Sequence, residues 1–272
     1  MKFGVSTMLM FSEMLKHKEK PLSYYKNQFL DVFKKTLEIK KKYNLDCFEI
    51  LSLKPIISNL AYKGEIKKLI RGVNCTYHLP FIEYNLAAFS DKLRTISLKD
   101  FKEDIDLCVF LDIKRLVIHT GWFSSAHSLL PKEILRNVRE SLRQLVDYSK
   151  KYNMEFCAEN LPINDTMFHT PEEMELAVEC GTYICLDTGH AITNNIDPVK
   201  FLDHFGDKIK HIHLVDDLIN KPDMHLPIGD GDLDYVNLFK RLKEMNYKGN
   251  IIIELGSEAG VEKSLKKLEN IK

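Results

Sequence analysis

The sequence predicts an α/β chain folded as one (β/α)8 TIM barrel, and three observations lead there. Short β-branched runs alternate with longer amphipathic ones along the whole chain. Eight such repeats fit into 272 residues, a usual length for this fold. Strands three to eight each run into a His, Asp or Glu, and a barrel enzyme displays its chemistry at the C-terminal ends of its strands.

Taken in order, Lys2-Phe-Gly-Val-Ser6 is the first strand. Tyr25 to Lys42 is a helix, with Phe29, Val32, Phe33 and Leu37 along one face. Asp46-Cys-Phe-Glu-Ile50 is the second strand, followed by a shorter helix over 64–71. Asn74-Cys-Thr-Tyr-His78 is the third, and a helix from about Ser90 to Leu111 returns to Arg115-Leu-Val-Ile-His119. Pro131 opens a long helix to about Tyr152, a position where proline costs nothing. Glu155-Phe-Cys-Ala-Glu159 is the fifth strand. Thr170-Pro-Glu-Glu has the form of an N-cap, a first-turn proline and acidic first-turn residues. Tyr183-Ile-Cys-Leu runs into Asp187, and Ile209-Lys-His-Ile runs into His213. Asp234 caps a helix to about Met245, Asn250-Ile-Ile-Ile-Glu254 is the eighth strand, and a last helix runs from about Val261.

A chain that is 44% hydrophobic can bury a large core. No linker, charge block or low-complexity stretch divides it, so residues 1–272 are expected to form a single domain. A doubly wound open sheet is the competing fold, but the glycine-rich turn it would use for nucleotides is missing after strand one. Zero net charge leaves no global field to draw the chain to nucleic acid or membrane. Six cysteines without a Cys-x-x-Cys pair, mostly in apolar runs, suit reduced buried thiols and a cytoplasmic location. The apolar start is followed at once by Glu13 without a cleavage site, against a signal peptide. No run approaches the roughly 20 apolar residues that span a bilayer. Self-association is left open.

The strand ends carry the functional signal. In order they are His78, His119, Glu159, Asp187, His213 and Glu254. About one residue in five is His, Asp or Glu, so six such ends in a row arise by chance on the order of once in ten thousand. The loops beyond strands six and seven add His190, and Asp223 with His225. Nine imidazoles and carboxylates converging without cations would be costly to bury. Divalent ions remove that cost, and the mixed shell suits Zn2+ or Mn2+, one to three of them, better than Mg2+ or Ca2+. Any one strand-end His is more often a hydrogen-bonded structural residue. That reading applies to His211, expected one layer below His213. His17, His127, His169 and His204 read as surface or structural. Asp216 and Asp217 read as solvated loop charges, and Asp230 and Asp232 as turn residues beside Gly229 and Gly231. Phe81 and Trp122 each follow a proposed ligand, where a substrate would lie.

These residues resemble the xylose isomerase-like TIM-barrel superfamily, which includes sugar isomerases and epimerases and the type IV apurinic/apyrimidinic endonucleases. The resemblance runs from Lys2 to about Lys267 and is most specific at His119-Thr-Gly121, Glu159-Asn160, Leu186-Asp-Thr-Gly-His-Ala191, His211-Ile-His213, Asp223-Met-His225-Leu-Pro-Ile-Gly-Asp-Gly231 and Ile253-Glu254. In ketose epimerase-like members, it implies one ion on Glu159, Asp187, His213 and Glu254, with Glu159 and Glu254 moving protons. In the endonuclease branch it implies three zinc ions. His78, His119 and Glu159 would hold one, Asp187, His213 and Glu254 a second, and His190, Asp223 and His225 a third. All nine positions are filled, and clustered ions suit phosphodiester cleavage. Other features depart from the endonucleases. Gly4-Val-Ser-Thr-Met-Leu-Met replaces their His-Val-Ser motif, Leu51-Ser-Leu-Lys-Pro-Ile-Ile-Ser is largely apolar, and the 214–234 loop is rich in aspartate. The expected activity is therefore metal-dependent isomerisation or epimerisation of a small sugar or hydroxy-carbonyl compound. Phe81 and Trp122 would pack on its carbon skeleton and Asn160 would bond a hydroxyl. Endonuclease IV-like hydrolysis of DNA is the second reading.

Overall fold

The structure, a computed structural model, describes all residues except 10, 11, 13–15, 17, 18, 55, 123–128, 164–166, 270 and 272. Eight strands carry the architecture: β1 (Lys2–Ser6), β2 (Cys47–Leu51), β3 (Asn74–His78), β4 (Arg115–Ile118), β5 (Glu155–Glu159), β6 (Tyr183–Asp187), β7 (Ile209–Leu214) and β8 (Asn250–Ile253). Each pairs in parallel with the next, and β8 pairs back onto β1, closing the barrel in chain order. The predicted strands are all present, shifted by no more than a residue at their ends.

Around them lie α1 (Leu22–Lys42), α2 (Lys63–Leu69), α3 (Asp91–Leu111), α4 (Pro131–Lys150), α5 (Pro171–Glu179), α6 (Thr188–Thr193), α7 (Pro198–Phe205), α8 (Tyr235–Glu244) and α9 (Glu258–Leu268). Their starts follow local chemistry. The side chains of Ser90, Thr170, Asp234 and Ser257 each accept a first-turn backbone N–H, and Pro131, Pro171 and Pro198 sit in first turns. The β6–β7 connection, which the periodicity left unassigned, holds the two short helices α6 and α7. Both are too short to show a full helical repeat in the sequence.

The pleat sorts side chains into two cores. One parity points outward, and Phe48, Leu116, Ile118, Phe156, Ile184, Ile212 and Ile251 pack there with Phe33, Phe101, Leu142 and Phe239 of the helices. The other parity fills the barrel, where Val117, Cys157 and Cys185 form a separate buried cluster. At Gly4 the inner wall is so close that an added Cβ would lie 2.5 Å from Cys47 Sγ and 2.7 Å from Ile252 Cδ1. All six cysteines are free thiols, with five buried and Cys75 half-buried. Two residues beyond Thr76, Val117, Cys157, Cys185, His211 and Ile252 stand His78, His119, Glu159, Asp187, His213 and Glu254. The period of two thus lifts the whole ligand series to the layer above the inner core. Among the described residues, no helix is long and apolar enough to cross a membrane.

Candidate metal centre

The six strand-end side chains meet at the C-terminal mouth, and Glu159 is their hub. Its Oε2 lies 3.2 Å from Nε2 of both His78 and His119. Its Oε1 lies 3.0 Å from His213 Nδ1, and that nitrogen is also 3.0 Å from Glu254 Oε2 and 3.8 Å from Asp187 Oδ2. The donor atoms of Glu159, Asp187, His213 and Glu254 all lie within 4.8 Å of one another, as do those of His78, His119 and Glu159, and those of Asp187, His190 and His225. Asp223 completes the last group, with Oδ2 at 3.3 Å from Nε2 of both His190 and His225. All nine predicted ligands are therefore gathered at one mouth.

The imidazoles are held so that one nitrogen faces the centre. Nδ1 of His78 meets the carbonyl of Leu79 at 2.7 Å, that of His190 the carbonyl of Asn160 at 2.9 Å, and that of His225 the carbonyl of Glu254 at 2.8 Å. With those nitrogens donating, loss of the Nε2 proton leaves an electron pair facing the centre, the tautomer that a metal ligand needs. Asp187 also caps α6, accepting the His190 N–H at 2.7 Å, so one turn carries two ligands.

The electrostatics fit a cation. Burial alone would raise the Glu159 carboxyl, but the imidazoles of His213 and His119 overcome it and hold it well below the usual range. Asp187 goes the other way, up to about 6, because burial and the Glu159 charge outweigh His190. Burial opposes a proton on His190, yet Asp187 and Asp223 push it up to about 10. His213 is held well above the ordinary range against its burial, with Cys185, Glu159 and Glu254 facing it. Asp187 Oδ2 has no hydrogen-bond partner, and no lysine or arginine lies among the described residues that line the mouth. Three buried carboxylates with one imidazole, lacking a cationic side chain, fit a divalent cation.

The cavity above has a volume of about 400 Å3. His78, His119, Glu159, His190, Asp223, His225 and Glu254 form its floor and one side. Met8, Phe81, Trp122, Leu161, Pro162 and Met224 supply the apolar side. Trp122 donates its Nε1–H to the carbonyl of Phe81 at 3.1 Å, which ties the two aromatic residues together.

Several expectations need correcting. Asn160 is fully buried, and its amide is spent on Asp187. Oδ1 accepts the Asp187 N–H at 2.7 Å and Nδ2 donates to the Asp187 carbonyl at 2.9 Å. It clamps the end of β6 and is absent from the described lining of the cavity. Asp216 and Asp217 are not solvated but fully buried. Asp216 accepts the N–H groups of Asp217, Gly229 and Leu233, and Asp217 those of Leu218, Met224 and His225. They fold the loop that carries Asp223 and His225, where His225 has a left-handed backbone, φ 50°. Asp230 pairs with Lys263, and Asp232 accepts the Ile219 N–H. His211 lies one layer below His213, as expected. His169 and His204 bind Glu173 and Glu175 away from the mouth, and His17 and His127 lie outside the described residues.

One residue escaped the sequence reading. Glu49 on β2 is fully buried, and it lies 2.8 Å from His211 Nε2 and 3.0 Å from His213 Nε2. The signal was a carboxylate at an inward position of a strand otherwise flanked by apolar residues, which demands a buried partner.

Comparison with known proteins agrees with this architecture. Residues 37–271 match the family described as Xylose isomerase-like TIM barrel. An uncharacterized protein of Methanocaldococcus jannaschii is 28% identical over 266 residues, which cover 93% of this chain and 83% of that protein. An inosose dehydratase of Geobacillus kaustophilus is 30% identical over 116 residues, covering 35% of this chain and 38% of that enzyme. The crystal structure of a D-tagatose 3-epimerase-like protein superposes with a TM-score of 0.83 at 25% identity, covering 100% of this chain and 97% of that one. A family match over most of the length, on a closed barrel with its ligands at one mouth, leads to one conclusion: the chain belongs to the xylose isomerase-like TIM barrel family.

Proposed function

We propose that the protein is a metal-dependent isomerase or epimerase that moves a proton next to the carbonyl of a small sugar or cyclitol derivative. The observation that carries this reading is the placement of Glu159 and Glu254. Both carboxylates contact the same nitrogen of His213 and both line one cavity of about 400 Å3, a small-molecule size. The likeness to a D-tagatose 3-epimerase-like protein and to inosose dehydratase supports a substrate of this class.

A Zn2+ or Mn2+ ion held by Glu159, Asp187, His213 and Glu254 would stabilise negative charge on the substrate's carbonyl and hydroxyl oxygens. Glu254 takes the proton from carbon or returns it, and Glu159 serves the opposite face. Asp187 and His213 hold those two carboxylates apart and oriented. Phe81 and Trp122 cover the carbon skeleton and exclude water, and Met8 and Met224 close the sides of the cavity.

Hydrolysis of a phosphodiester at an abasic site is the second reading, favoured by one observation. The ligands form three groups, and Glu159 and Asp187 each belong to two of them. A carboxylate that bridges two ions has no free oxygen for carbon acid chemistry, so the number of ions separates the readings. The aspartates of the 214–234 loop weigh against DNA, because backbone N–H groups that bond Asp216, Asp217 and Asp232 favour their charged forms.

The test is a paired assay on metal-loaded protein. Deuterium exchange from solvent into a panel of ketoses and inososes is expected, lost at least a hundredfold in both Glu159→Gln and Glu254→Gln. Nicking of an abasic duplex abolished by Glu159→Gln, with three ions bound and no exchange into any sugar, would reverse the order of the two readings.

A further inference from the structure

We propose that Asn85 is a positioning residue for Trp122, holding the indole in place as one wall of the substrate cavity. The inference rests on the reading of that cavity above and concerns a residue outside its described lining. Trp122 is 39% exposed, so packing alone fixes its ring poorly. Two hydrogen bonds tie it down. Its carbonyl accepts from Asn85 Nδ2 at 2.8 Å, and its Nε1–H donates to the Phe81 carbonyl at 3.1 Å. Both partners belong to the loop between β3 and α3, so that loop grips Trp122 by its backbone and by its ring. The centroid of the Phe81 ring lies 5.0 Å from that of His119 and 5.6 Å from that of His78, which sets the wall beside the candidate metal centre.

The loop that carries Asn85 is itself anchored from the helical shell. Ser97 Oγ of α3 accepts the Asn85 N–H at 3.2 Å, and Ser141 Oγ of α4 donates to the Leu86 carbonyl at 3.3 Å. Arg94 of α3 and Asn137 of α4 both donate to the Ala88 carbonyl, at 2.6 and 3.3 Å. Asn85 Oδ1 accepts the Ala87 N–H at 2.8 Å, which turns the amide so that Nδ2 faces the next loop. The chain opposite makes room for it. Gly121 has φ 128°, and a Cβ there would overlap Asn85 Oδ1. A glycine just before Trp122 and an amide facing it are two separate features that serve one contact. The support thus runs from two helices through Asn85 to an indole that its own loop leaves half in water.

Trp122 is the chain's one tryptophan, so the fluorescence of the full chain reads this contact directly and without substrate. Asn85→Asp keeps the acceptor that Ala87 uses and loses the donor to Trp122, which separates a turn-forming role from a positioning one. It is expected to melt like the wild type, while Trp122 emits at longer wavelength and is quenched more strongly by acrylamide. With the best-exchanging member of the ketose and inosose panel, KM should rise about threefold to tenfold and kcat stay within about twofold, the signature of lost binding without lost chemistry. Wild-type emission and quenching in a folded Asn85→Asp protein, or a fall in kcat at unchanged KM, overturns the inference and leaves the isomerase reading standing. If Asn85→Asp does not fold, the side-chain amide of Asn85 in 1H–15N spectra of the wild type decides. One shifted, slowly exchanging proton supports the bond to Trp122, and two protons averaged with solvent overturn it. A wild type that exchanges no member of the panel overturns the isomerase reading, and the fluorescence of Asn85→Asp then decides the role of Asn85 by itself.

Discussion

Asp217 accepts three backbone N–H groups, two of them from Met224 and His225 at the rim of the mouth. Removing its carboxylate strands buried donors beside a left-handed residue. Asp217→Ala is expected to cost about 3 kcal/mol, read as a lower urea midpoint of the metal-free protein, and Asp217→Asn less. At this scale the sequence was legible for the side chains that meet at the mouth and poor for their supports. Ligands stand at strand ends, where parity and position are both visible. Asp216 and Asp217 sit in a loop, and nothing in a pair of adjacent acids tells burial from solvation. Asn160 was misread for a related reason: an amide next to a ligand looks like a substrate contact until its two hydrogen bonds to Asp187 are seen.

Strands are the elements the sequence describes best, because each is a short β-branched or apolar run bounded by turns, and strands three to eight run into a charged or imidazole side chain. Helix starts follow wherever a cap is spelled out, as at Ser90, Thr170 and Asp234. The short α6 and α7 were not readable, since six and eight residues carry too little periodicity and Asp187 serves at once as strand end and cap. Two elements supply predictions. Thr170→Ala removes the acceptor for the Glu173 N–H and should cost about 1 kcal/mol in chemical denaturation. Gly4→Ala should cost about 1–3 kcal/mol, because its Cβ would meet Cys47 and Ile252 on a wall that cannot retreat without spreading β1 from its neighbours. A variant as stable as the wild type would show that the inner wall yields more easily than its contacts imply.

For the molecule as a whole, the mouth stores protons when it lacks metal. His190 is pushed up to about 10, so at neutral pH it carries a proton that an ion must displace. Zn2+ affinity is therefore expected to rise with pH, up to about tenfold per unit for each proton released, and proton release on binding can be read in weakly buffered solution. The stability of the metal-free protein moves oppositely. A histidine raised above its unfolded value contributes fully below about 6.5 and loses that contribution as pH climbs toward 10. The gain in thermal midpoint on adding Zn2+ should accordingly widen between pH 6.5 and 9, and a constant gain would contradict the assignment of His190 as a ligand. The barrel itself was legible at this scale because alternation and strand-end chemistry agree along the chain. The occupant of the mouth was not, since it depends on loop conformations that no periodicity encodes.

The two-core packing has a consequence for the thiols. Burial pushes Cys47 and Cys157 up to about 12 and Cys108 and Cys185 well above the ordinary thiol range, and Cys180 is raised as well. Only a thiolate reacts with an alkylating reagent, and burial pushes half-buried Cys75 up to about 12 as well, so the folded chain should be alkylated slowly at every cysteine. Cys157 and Cys185 inside the barrel can be reached only when adjacent strands part. Their alkylation, followed residue by residue by mass spectrometry, is thus a clock for opening of the barrel, while Cys108 and Cys180 time the detachment of the helical shell. If the closed sheet opens as one cooperative unit, Cys157 and Cys185 will be modified at the same rate, and bound Zn2+ will slow both together.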